Sequence, residues 1–404
     1  MTIQTIKTRQ PSDSLPVESI INGTKGCRKL LKPKASALSV RSAVVSVLLS
    51  SISIPGFAAG YAITQIPVPK ITIPAGTTAR PVCLSINEIG QVACNLEIVQ
   101  TLTRAPIDRL APSPRIFASY AYAWDSITQV LTLFSPVTPT TFDQVKVIND
   151  KSVGGSTGIV GKPSQGVTWS IALKTSTQHG SGVITDINDH GDYVLNKQLF
   201  FFNNIPDSFA GKNTQVNAIS NPLSVTSPVQ AAGIQTLIDP VKISGIGLLY
   251  PTKPTKPVFA LTSGLNDYSV SDLSANGSRL VISGTPNTIS AASALSCKAP
   301  AACLVYSSTV GASARGNPYL RLNSVDNAGH AVGTDGGFAL LINPPTATAP
   351  NGTRVDLNSL LPAGSFSNFG WFLNEATGIN NSGQVVGVGQ KNGKNVAFLL
   401  TPTP

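Results

Sequence analysis

The sequence is poor in charged residues and lacks helical patterns. Charged residues make up 12% of its 404 residues, against roughly 25% in an average globular chain. No segment rich in Leu, Glu, Lys and Ala has apolar residues at helical spacing. This absence excludes a helix bundle. The 35 glycines and 30 prolines indicate many short turns instead. These features predict an all-β protein, and a chain of this length can bury a large core.

Long apolar runs are also missing. The apolar run at residues 42–54 is the candidate for a membrane-spanning helix, and it lies between Arg41 and Pro55. It is therefore shorter than the roughly 20 apolar residues that such a helix needs. It follows a basic segment and precedes small residues around Ala58, which is the pattern of a secretory signal. We therefore expect a signal peptide over residues 1–58, cleavage near Ala58, a secreted or periplasmic protein and no stable membrane anchor. The leader is unusually long, and an upstream start codon is the alternative explanation.

The positive charge does not indicate a nucleic-acid partner. The net charge is +10, but much of the excess lies within residues 1–58. No basic stripe with interleaved aromatic residues remains in residues 59–404, so nucleic acid is not expected as a partner. We expect residues 59–404 to form a single repeat-built β domain.

Cysteine is scarce, and its spacing excludes zinc chemistry. Beyond the signal segment the chain has Cys83, Cys94, Cys297 and Cys303. An even number in an exported chain favours two disulfides. We expect local pairing, because Cys83 and Cys94 flank residues 86–91 symmetrically and the other two bracket a short loop. No tight cysteine pair with a nearby histidine is present, so no zinc site is expected.

A short motif recurs along the chain. Residues 377–387 read TGINNSGQVVG, which is an apolar residue, a turn of Asn, Ser and Gly, and a β-branched strand. A degenerate copy lies at residues 219–222. Asn and Gly accept the backbone conformations of tight turns, so we interpret the motif as a structural corner between two strands. The recurring turn residues are Asn87, Gly90, Asn149, Asn188, Gly191, Gly277, Gly329, Asn380 and Gly383.

Each unit contains further strand signals. The pattern of residues 396–400 occurs upstream at 169–173, 258–261 and 337–341, and the Asn392-Gly393 pair before its last copy is a strong hairpin signal. Each unit is thus three or four antiparallel strands over roughly 50 residues. We predict a monomeric β-propeller-like ring of about six or seven small antiparallel sheets. The alternative is an open β-solenoid of stacked hairpins.

The last unit lacks one strand. No residues remain after 396–400 to pair with that strand in the way the preceding unit does. We predict that a strand from residues 61–73 supplies the partner and closes the ring. Pro67 and Pro69 fit an edge position, because proline has no N–H to donate to a ladder.

Residues 370–402 combine apolar-Asn-x-x-Gly-Gln-Val-Val-Gly, an Asn-Gly hairpin and Ala-Phe-Leu-Leu-Thr-Pro. This combination resembles the HAF-repeat family of extracellular bacterial proteins, and the resemblance recurs around Ile187, Leu273 and Val325. Val396 occupies the position that the family usually fills with histidine. The resemblance implies export from a bacterium and brings no catalytic residues with it.

Candidate catalytic residues are isolated. His179, His190 and His330 occupy different places near turns, so we expect surface residues and no metal site. Residues 154–158, GGSTG, match the Gly-x-Ser-x-Gly elbow of hydrolases, but Pro163 interrupts the chain where a helix should follow. We interpret this stretch as a turn between strands, with a Ser156 nucleophile as the alternative.

Four acidic residues lie at or near the repeated turn, namely Asp150, Asp186, Asp189 and Asp326. On one rim of a propeller they could converge for catalysis, as glycosidases require of two carboxylates, or for calcium. Other units carry Asn or Ala at the position of Asp150 and Asp189, which favours a turn-making role.

Aromatic residues are few, at 6% of the chain. Tyr120, Tyr122 and Trp124 alternate along one strand and therefore share a face. They are a possible ligand-stacking platform, and packing between sheets is the alternative.

No catalytic, cofactor-binding or metal-binding residue is assigned from the sequence. The first hypothesis is an exported, non-enzymatic repeat protein that binds a surface glycan or a protein. The second is an extracellular polysaccharide hydrolase or lyase that uses acids on one propeller rim. Convergence of two carboxylates, or of a histidine and a carboxylate, in the central channel would favour the second hypothesis.

Overall fold

A computed structural model describes the β domain. The described residues are 60–100, 115–136, 141–159, 162–201, 205–206, 214–221, 229, 231–236, 243–249, 265–277, 279–286, 291–298, 302–308, 320–344, 353–362 and 370–403. The predicted signal segment and its cleavage point lie outside them. Among the described residues, no helix is long and apolar enough to cross a membrane.

The described elements are almost all short strands. In chain order they are β1 Tyr61–Gln65, β2 Thr77–Ile86, β3 Gln91–Gln100, β4 Arg115–Asp125, β5 Leu131–Leu133, β6 Gln144–Ile148, β7 Ser152–Thr157, β8 Gln165–Ser170, β9 Ser176–Ser181, β10 Ile184–Ile187, β11 Tyr193–Leu195, β12 Gln198–Phe201, β13 Ile205–Pro206 and β14 Thr214–Ile219. They continue with β15 Ala231–Thr236, β16 Ile243–Leu249, β17 Leu265–Leu273, β18 Arg279–Pro286, β19 Ala291–Lys298, β20 Ala302–Ser308, β21 Leu320–Val325, β22 Ala331–Asp335, β23 Phe338–Asn343, β24 Thr353–Asp356, the 3-10 turn η1 Leu357–Leu360, β25 Trp371–Ile379, β26 Val385–Lys391 and β27 Lys394–Pro402.

The described strands form seven small antiparallel sheets, here called blades 1 to 7. From the inner strand outwards they are β2–β5, β6–β9, β10–β13, β14–β16, β17–β20, β21–β24, and β25, β26, β27 with β1. Side chains are described through most of five of them, blades 1, 2, 3, 6 and 7, while blades 4 and 5 are described mainly as backbone.

Successive blades pack face to face in a closed ring. The inner strand of each blade contacts the blade before it, and β2 of blade 1 contacts β25, β26 and β27 of blade 7. Such a ring of small sheets is a β-propeller. The predicted fold is therefore confirmed, and the open solenoid is wrong because blade 7 packs on blade 1.

The ring is closed by the first described strand. β1 pairs antiparallel with β27, with Tyr61 opposite Pro402 and Gln65 opposite Phe398. The backbone N–H of Ile66 extends this ladder to the carbonyl of Ala397 at 3.0 Å. The predicted closing strand is confirmed. Pro67 and Pro69 follow the end of β1 and so do not interrupt the ladder.

The recurring turns have the predicted geometry. The glycine of each of five described turns has a positive φ, for example 74° at Gly383, which an L side chain would disfavour. Asn392 and Gly393 also have positive φ, at 51° and 73°, as a two-residue hairpin requires. The remaining turn glycines are Gly90, Gly191, Gly277 and Gly329.

Every described inner strand carries a β-bulge shortly before its turn. In β25, for example, the register shifts between Ala376 and Gly378. The last glycine of the motif, Gly387, lies opposite this bulge, and a Cβ there would stand 2.1 Å from the carbonyl oxygen of Glu375. The motif ends in glycine because the bulged strand approaches too closely for a side chain. The other shifts are at Cys83/Ser85, Val145/Val147, Ile184/Asp186, Val216/Ala218, Val270/Asp272 and Leu322/Ser324.

The GGSTG stretch is not a turn. Residues 154–157 lie inside strand β7, and Ser156 is buried. A Cβ on Gly155 would stand 1.9 Å from the carbonyl oxygen of Gln144 on the neighbouring strand. The glycines permit close strand approach at the bulge of β6, and the expected turn is corrected to a strand.

Tyr120, Tyr122 and Trp124 lie in the core between blades 7 and 1. They are 5%, 0% and 1% exposed, which leaves no ring face open to a ligand. The ligand-stacking hypothesis is therefore corrected to packing between sheets. Alternation placed the three rings on one face, and that face is covered by the neighbouring blade.

One predicted disulfide is present, between Cys83 and Cys94, which lie opposite each other on β2 and β3. Cys297 and Cys303 are also cross-strand partners, on β19 and β20. Their side chains lie outside the described part of the structure. The second disulfide therefore stays a prediction.

Candidate functional site

The recurring turns surround one end of the central channel. Seven inner strands end there, and their last apolar residues line a cavity of about 110 Å³. The predicted turn residues are therefore brought together around a single opening. The seven apolar residues are Ile86, Ile148, Ile187, Ile219, Leu273, Val325 and Ile379.

The first turn residue of each blade is buried, and where it is asparagine it has two roles. Oδ1 of Asn380 accepts hydrogen bonds from the backbone N–H groups of Ser382 and Gln384 in its own turn. Its Nδ2 donates to the carbonyl of Asn87 in the next blade at 3.0 Å. Asn87, Asn149 and Asn188 likewise donate to the carbonyls of Asn149, Asn188 and Ser220. This position builds the turn and joins the blades.

The second turn residue forms another ring of bonds between blades. The N–H of Asn327 donates to Oδ1 of Asn381 at 2.8 Å, and the N–H of Asn381 donates to Oε2 of Glu88 at 3.0 Å. Each described blade junction has a hydrogen bond near the mouth, although the donor in blade 5 is Asn276, the third turn residue, and the acceptor for Asn221 is the backbone carbonyl of Ala275. The others join Glu88 to Asp150, Asp150 to Asp189, Asp189 to Asn221, Asn221 to Ala275, and Asn276 to Asn327.

Two aspartates lie one residue before the repeated apolar position and face the channel interior. Asp186 accepts from the N–H of Ile187 at 2.9 Å and from the N–H of Ile219 in the next blade at 2.6 Å. Asp272 accepts from the N–H of Leu273, from the Ser324 hydroxyl at 2.7 Å and from the N–H of Val325 at 3.0 Å. Both carboxylates thus join neighbouring inner strands.

Burial changes the acidity of these groups. Burial, assisted by the nearby Asp272 carboxylate, raises the pKa of Asp186 to about 8 despite two backbone hydrogen bonds. Burial likewise raises the pKa of Asp272 to about 6. At the mouth, burial raises the pKa of Glu88 and of Asp150 as well. The channel therefore disfavours negative charge, although acids line it.

The bulges direct a further ring of side chains towards a second cavity of about 100 Å³ in the channel. Lys146 is the cation among them, and burial lowers its pKa, an effect that Arg321 adds to and Glu97 opposes. Bulges commonly re-aim side chains in this way. The ring consists of Leu84, Lys146, Thr185, Asn217, Ser271, Asn323 and Thr377.

The three histidines belong to different blades, and no group of three potential metal ligands occurs among the described residues. His330 pairs with Asp326 through Nδ1 at 2.7 Å, within one turn. His179 contacts the Thr168 hydroxyl at 2.9 Å. The backbone N–H of His190 donates to Asn188.

A larger pocket lies away from the turns. It has a volume of about 430 Å³ and lies in the seam between blades 7 and 1, between β2 and β3 on one side and β25, β26 and β27 on the other. We call it the seam pocket. Its charged residues are Arg80, Glu97 and Glu375. Arg80 donates through Nε and Nη2 to Oε2 of Glu97.

The sequence predicted Asp150, Asp186, Asp189 and Asp326 near one rim, and the first three do line the mouth cavity. Asp272 was not predicted from the sequence. Aligning the repeats would have shown that Asp186 and Asp272 both lie one residue before the repeated apolar position. The seam pocket was not predicted either, because its two walls come from opposite ends of the chain and share no local motif.

Comparison with solved structures finds only distant neighbours. A chain of a mitotic checkpoint complex aligns at 12% identity and TM-score 0.49, over 95% of this chain and 100% of that chain. A gluconolactonase from Xanthomonas campestris aligns at 9% identity and TM-score 0.36, over 87% and 93%. TolB from Acinetobacter baumannii aligns at 12% identity and TM-score 0.28, over 67% and 62%. No family model and no curated protein matches the chain.

Proposed function

We propose that this chain is an exported, non-enzymatic binding protein whose propeller recognises a surface glycan or a protein. The observation that supports this function best is the hydrogen bonding of the channel acids. Asp186, Asp272, Asp189 and Glu88 each accept backbone N–H groups of a neighbouring blade. These acids hold neighbouring blades together. We therefore infer that the fold serves to present binding surfaces.

The sizes of the cavities agree with this function. Small-molecule sites usually measure about 300–1,000 Å³. The two adjoining channel cavities measure about 110 and 100 Å³, which is below that range. The seam pocket, of about 430 Å³, falls within the usual range.

The second candidate function is hydrolysis of an extracellular polysaccharide. The observation in its favour is that Asp186 and Asp272 line the same channel cavities and that burial raises the pKa of both carboxyl groups. A catalytic role would require both carboxylates to give up bonds between blades.

Export remains part of the proposal. The signal pattern in residues 1–58 and the resemblance to HAF-repeat proteins both imply it. The Cys83–Cys94 disulfide is in keeping with an oxidising compartment. Mass spectrometry of secreted protein tests it, because the mature chain should begin at residue 59.

The function is tested by measuring binding and turnover together. Purified protein is incubated with bacterial cell envelopes and with soluble polysaccharides, and both retained protein and released reducing ends are measured. We expect saturable retention without release. Release that disappears in the Asp186→Asn and Asp272→Asn variants, but not in Asp143→Asn, would establish the hydrolase and refute the binding function.

A further inference from the structure

We infer that the seam pocket is a binding site for a neutral, polyhydroxylated ligand, such as a sugar unit of a glycan. This inference depends on the binding function proposed above and gives that function a location and a ligand class. It is supported by the volume of the pocket, by the balance of its polar groups and by its position in the ring.

The pocket has one wall from blade 1 and one from blade 7, and each wall carries both apolar and polar groups. Pro81 and Val82 of blade 1 and Val388 and Val396 of blade 7 supply apolar surface. A pyranose ring presents C–H groups on its faces and hydroxyls at its edge, so it can use both kinds of group. Ligand sites commonly combine apolar lining with a few convergent polar groups.

The charged groups have unused hydrogen-bonding capacity. Both bonds from Arg80 go to Oε2 of Glu97, so Oε1 has no hydrogen-bond partner among the described residues. The Arg80 side chain is 41% exposed. Oε1 of Glu375 accepts from Nδ2 of Asn323 at 2.8 Å, and its other oxygen likewise has no partner within the described chain. One donor group and two acceptor groups thus face the pocket.

Two amides add to the polar lining of the pocket. Gln390 and Asn395 line the pocket on β26 and β27, and neither side chain has a hydrogen bond to another described residue. Each amide offers two N–H donors and a carbonyl acceptor. Because these positions are partly or fully exposed, their polar atoms are available to a ligand.

This mixture of groups favours hydroxyls over ions. A hydroxyl both donates and accepts, so it pairs with arginine, carboxylate and amide groups alike. An anionic ligand would meet the carboxylates of Glu97 and Glu375, and a cationic ligand would meet Arg80. A neutral polyol meets no like charge.

Because of the position of the pocket, ligand binding should change the stability of the ring. Residues of blade 1 and blade 7 form its two walls, so a bound ligand contacts both sides of the seam where the ring closes. A ligand that binds only the closed ring stabilises it by mass action. Binding should therefore raise the unfolding temperature of the full chain.

The test is a glycan array with the full chain, followed by calorimetric titration of the saccharides that bind. The two pocket variants are Gln390→Ala/Asn395→Ala and Glu375→Gln. The control is Gln178→Ala/Gln198→Ala, which removes exposed amides from blades 2 and 3.

We expect at least tenfold weaker binding in both pocket variants, unchanged binding in the control, and a saccharide-induced rise in unfolding temperature that the pocket variants lose. All variants should keep the circular dichroism spectrum of the parent.

Two results would overturn the inference and leave the proposed function intact. One is retention of the protein on cell envelopes without binding to any saccharide on the array. The other is saccharide binding that is the same in the parent, the pocket variants and the control. Failure of the proposed function itself has a different signature, which is release of reducing ends by the unmodified chain.

Discussion

Asn380 donates a hydrogen bond from Nδ2 to the backbone carbonyl of Asn87, at 3.0 Å and 293 residues away in sequence. The same bond joins Asn87 to Asn149 in the neighbouring blade, also at 3.0 Å. The junction where the ring closes is therefore built like a junction between consecutive blades. A motif that looks local in sequence acts between blades in the structure.

The first prediction concerns this asparagine. Asn380→Ala leaves the N–H groups of Ser382 and Gln384 without their acceptor and removes the bond to Asn87, so we expect a loss of about 2–3 kcal/mol in unfolding free energy. Urea denaturation measures it. Ser382→Ala, at an exposed position of the same turn, should change stability little. Equal effects of the two substitutions would contradict the role given to Asn380.

The second prediction separates close strand approach from backbone strain. Gly387→Ala would place a Cβ 2.1 Å from the Glu375 carbonyl oxygen, whereas nothing lies within 4 Å of a Cβ on Gly393, whose φ is 73°. We expect about 1–2 kcal/mol for Gly393→Ala, from left-handed strain alone, and a larger loss for Gly387→Ala. Denaturation midpoints of the two variants are compared. The reverse order would show that the bulge relaxes easily.

The third prediction concerns pH. Asp186 and Asp272 have pKa values raised to about 8 and about 6 from 3.8, so the folded protein keeps protons that the unfolded chain releases. Their contribution to stability is fully present below about pH 4 and decreases as pH rises towards 8. Unfolding temperature should therefore decline over this range, measured by calorimetry.

Two matched variants test whether Asp186 causes this decline in unfolding temperature. Asp186→Asn removes one titrating group, so its profile should be flatter than that of the parent. Asp143→Asn is the control, because Oδ1 of Asp143 bonds to Thr157 and Asp143 does not line the channel cavities. A profile of Asp186→Asn as steep as that of the control would refute the assignment.

The fourth prediction concerns the disulfide of blade 1. Cys83 and Cys94 are 11 residues apart, and a loop of that length is stabilised by about 2–3 kcal/mol in the chain-entropy account. Cys83→Ala/Cys94→Ala should lose about this amount in urea denaturation. Cys297→Ala/Cys303→Ala should lose a comparable amount if the second bridge forms, and thiol counting on the unfolded parent checks both bridges.

The sequence predicted the fold well, because propeller blades repeat their local chemistry. The turn glycines and the Asn392-Gly393 hairpin follow from short-range patterns, and the closing strand follows from the strand that the last unit lacks. The burial of Tyr120, Tyr122 and Trp124 did not follow, because alternation shows which residues share a face but not what covers it. The prediction for residues 154–158 was wrong, since glycine required by a bulge resembles glycine required by a turn.

The candidate site was less predictable than the fold. Asp272 lies just before the copy of the repeat that begins at Leu273, and its role depends on Ser324 and Val325 of another blade. The seam pocket joins Arg80 and Glu97 to Glu375, almost the full length of the domain later. Such long-range pairing leaves no trace in local spacing.

The pairing of β1 with β27 also constrains how the protein folds. Gly60 and Thr403 are hydrogen-bonded although 343 residues separate them. Contacts of such sequence separation form slowly, because the entropy of closing the intervening loop must be overcome first. β1 is synthesised early and has no partner until β27 follows, so during synthesis it remains an open strand edge. An unpaired edge is an aggregation hazard, and chaperone binding to this segment before ring closure would protect the nascent chain.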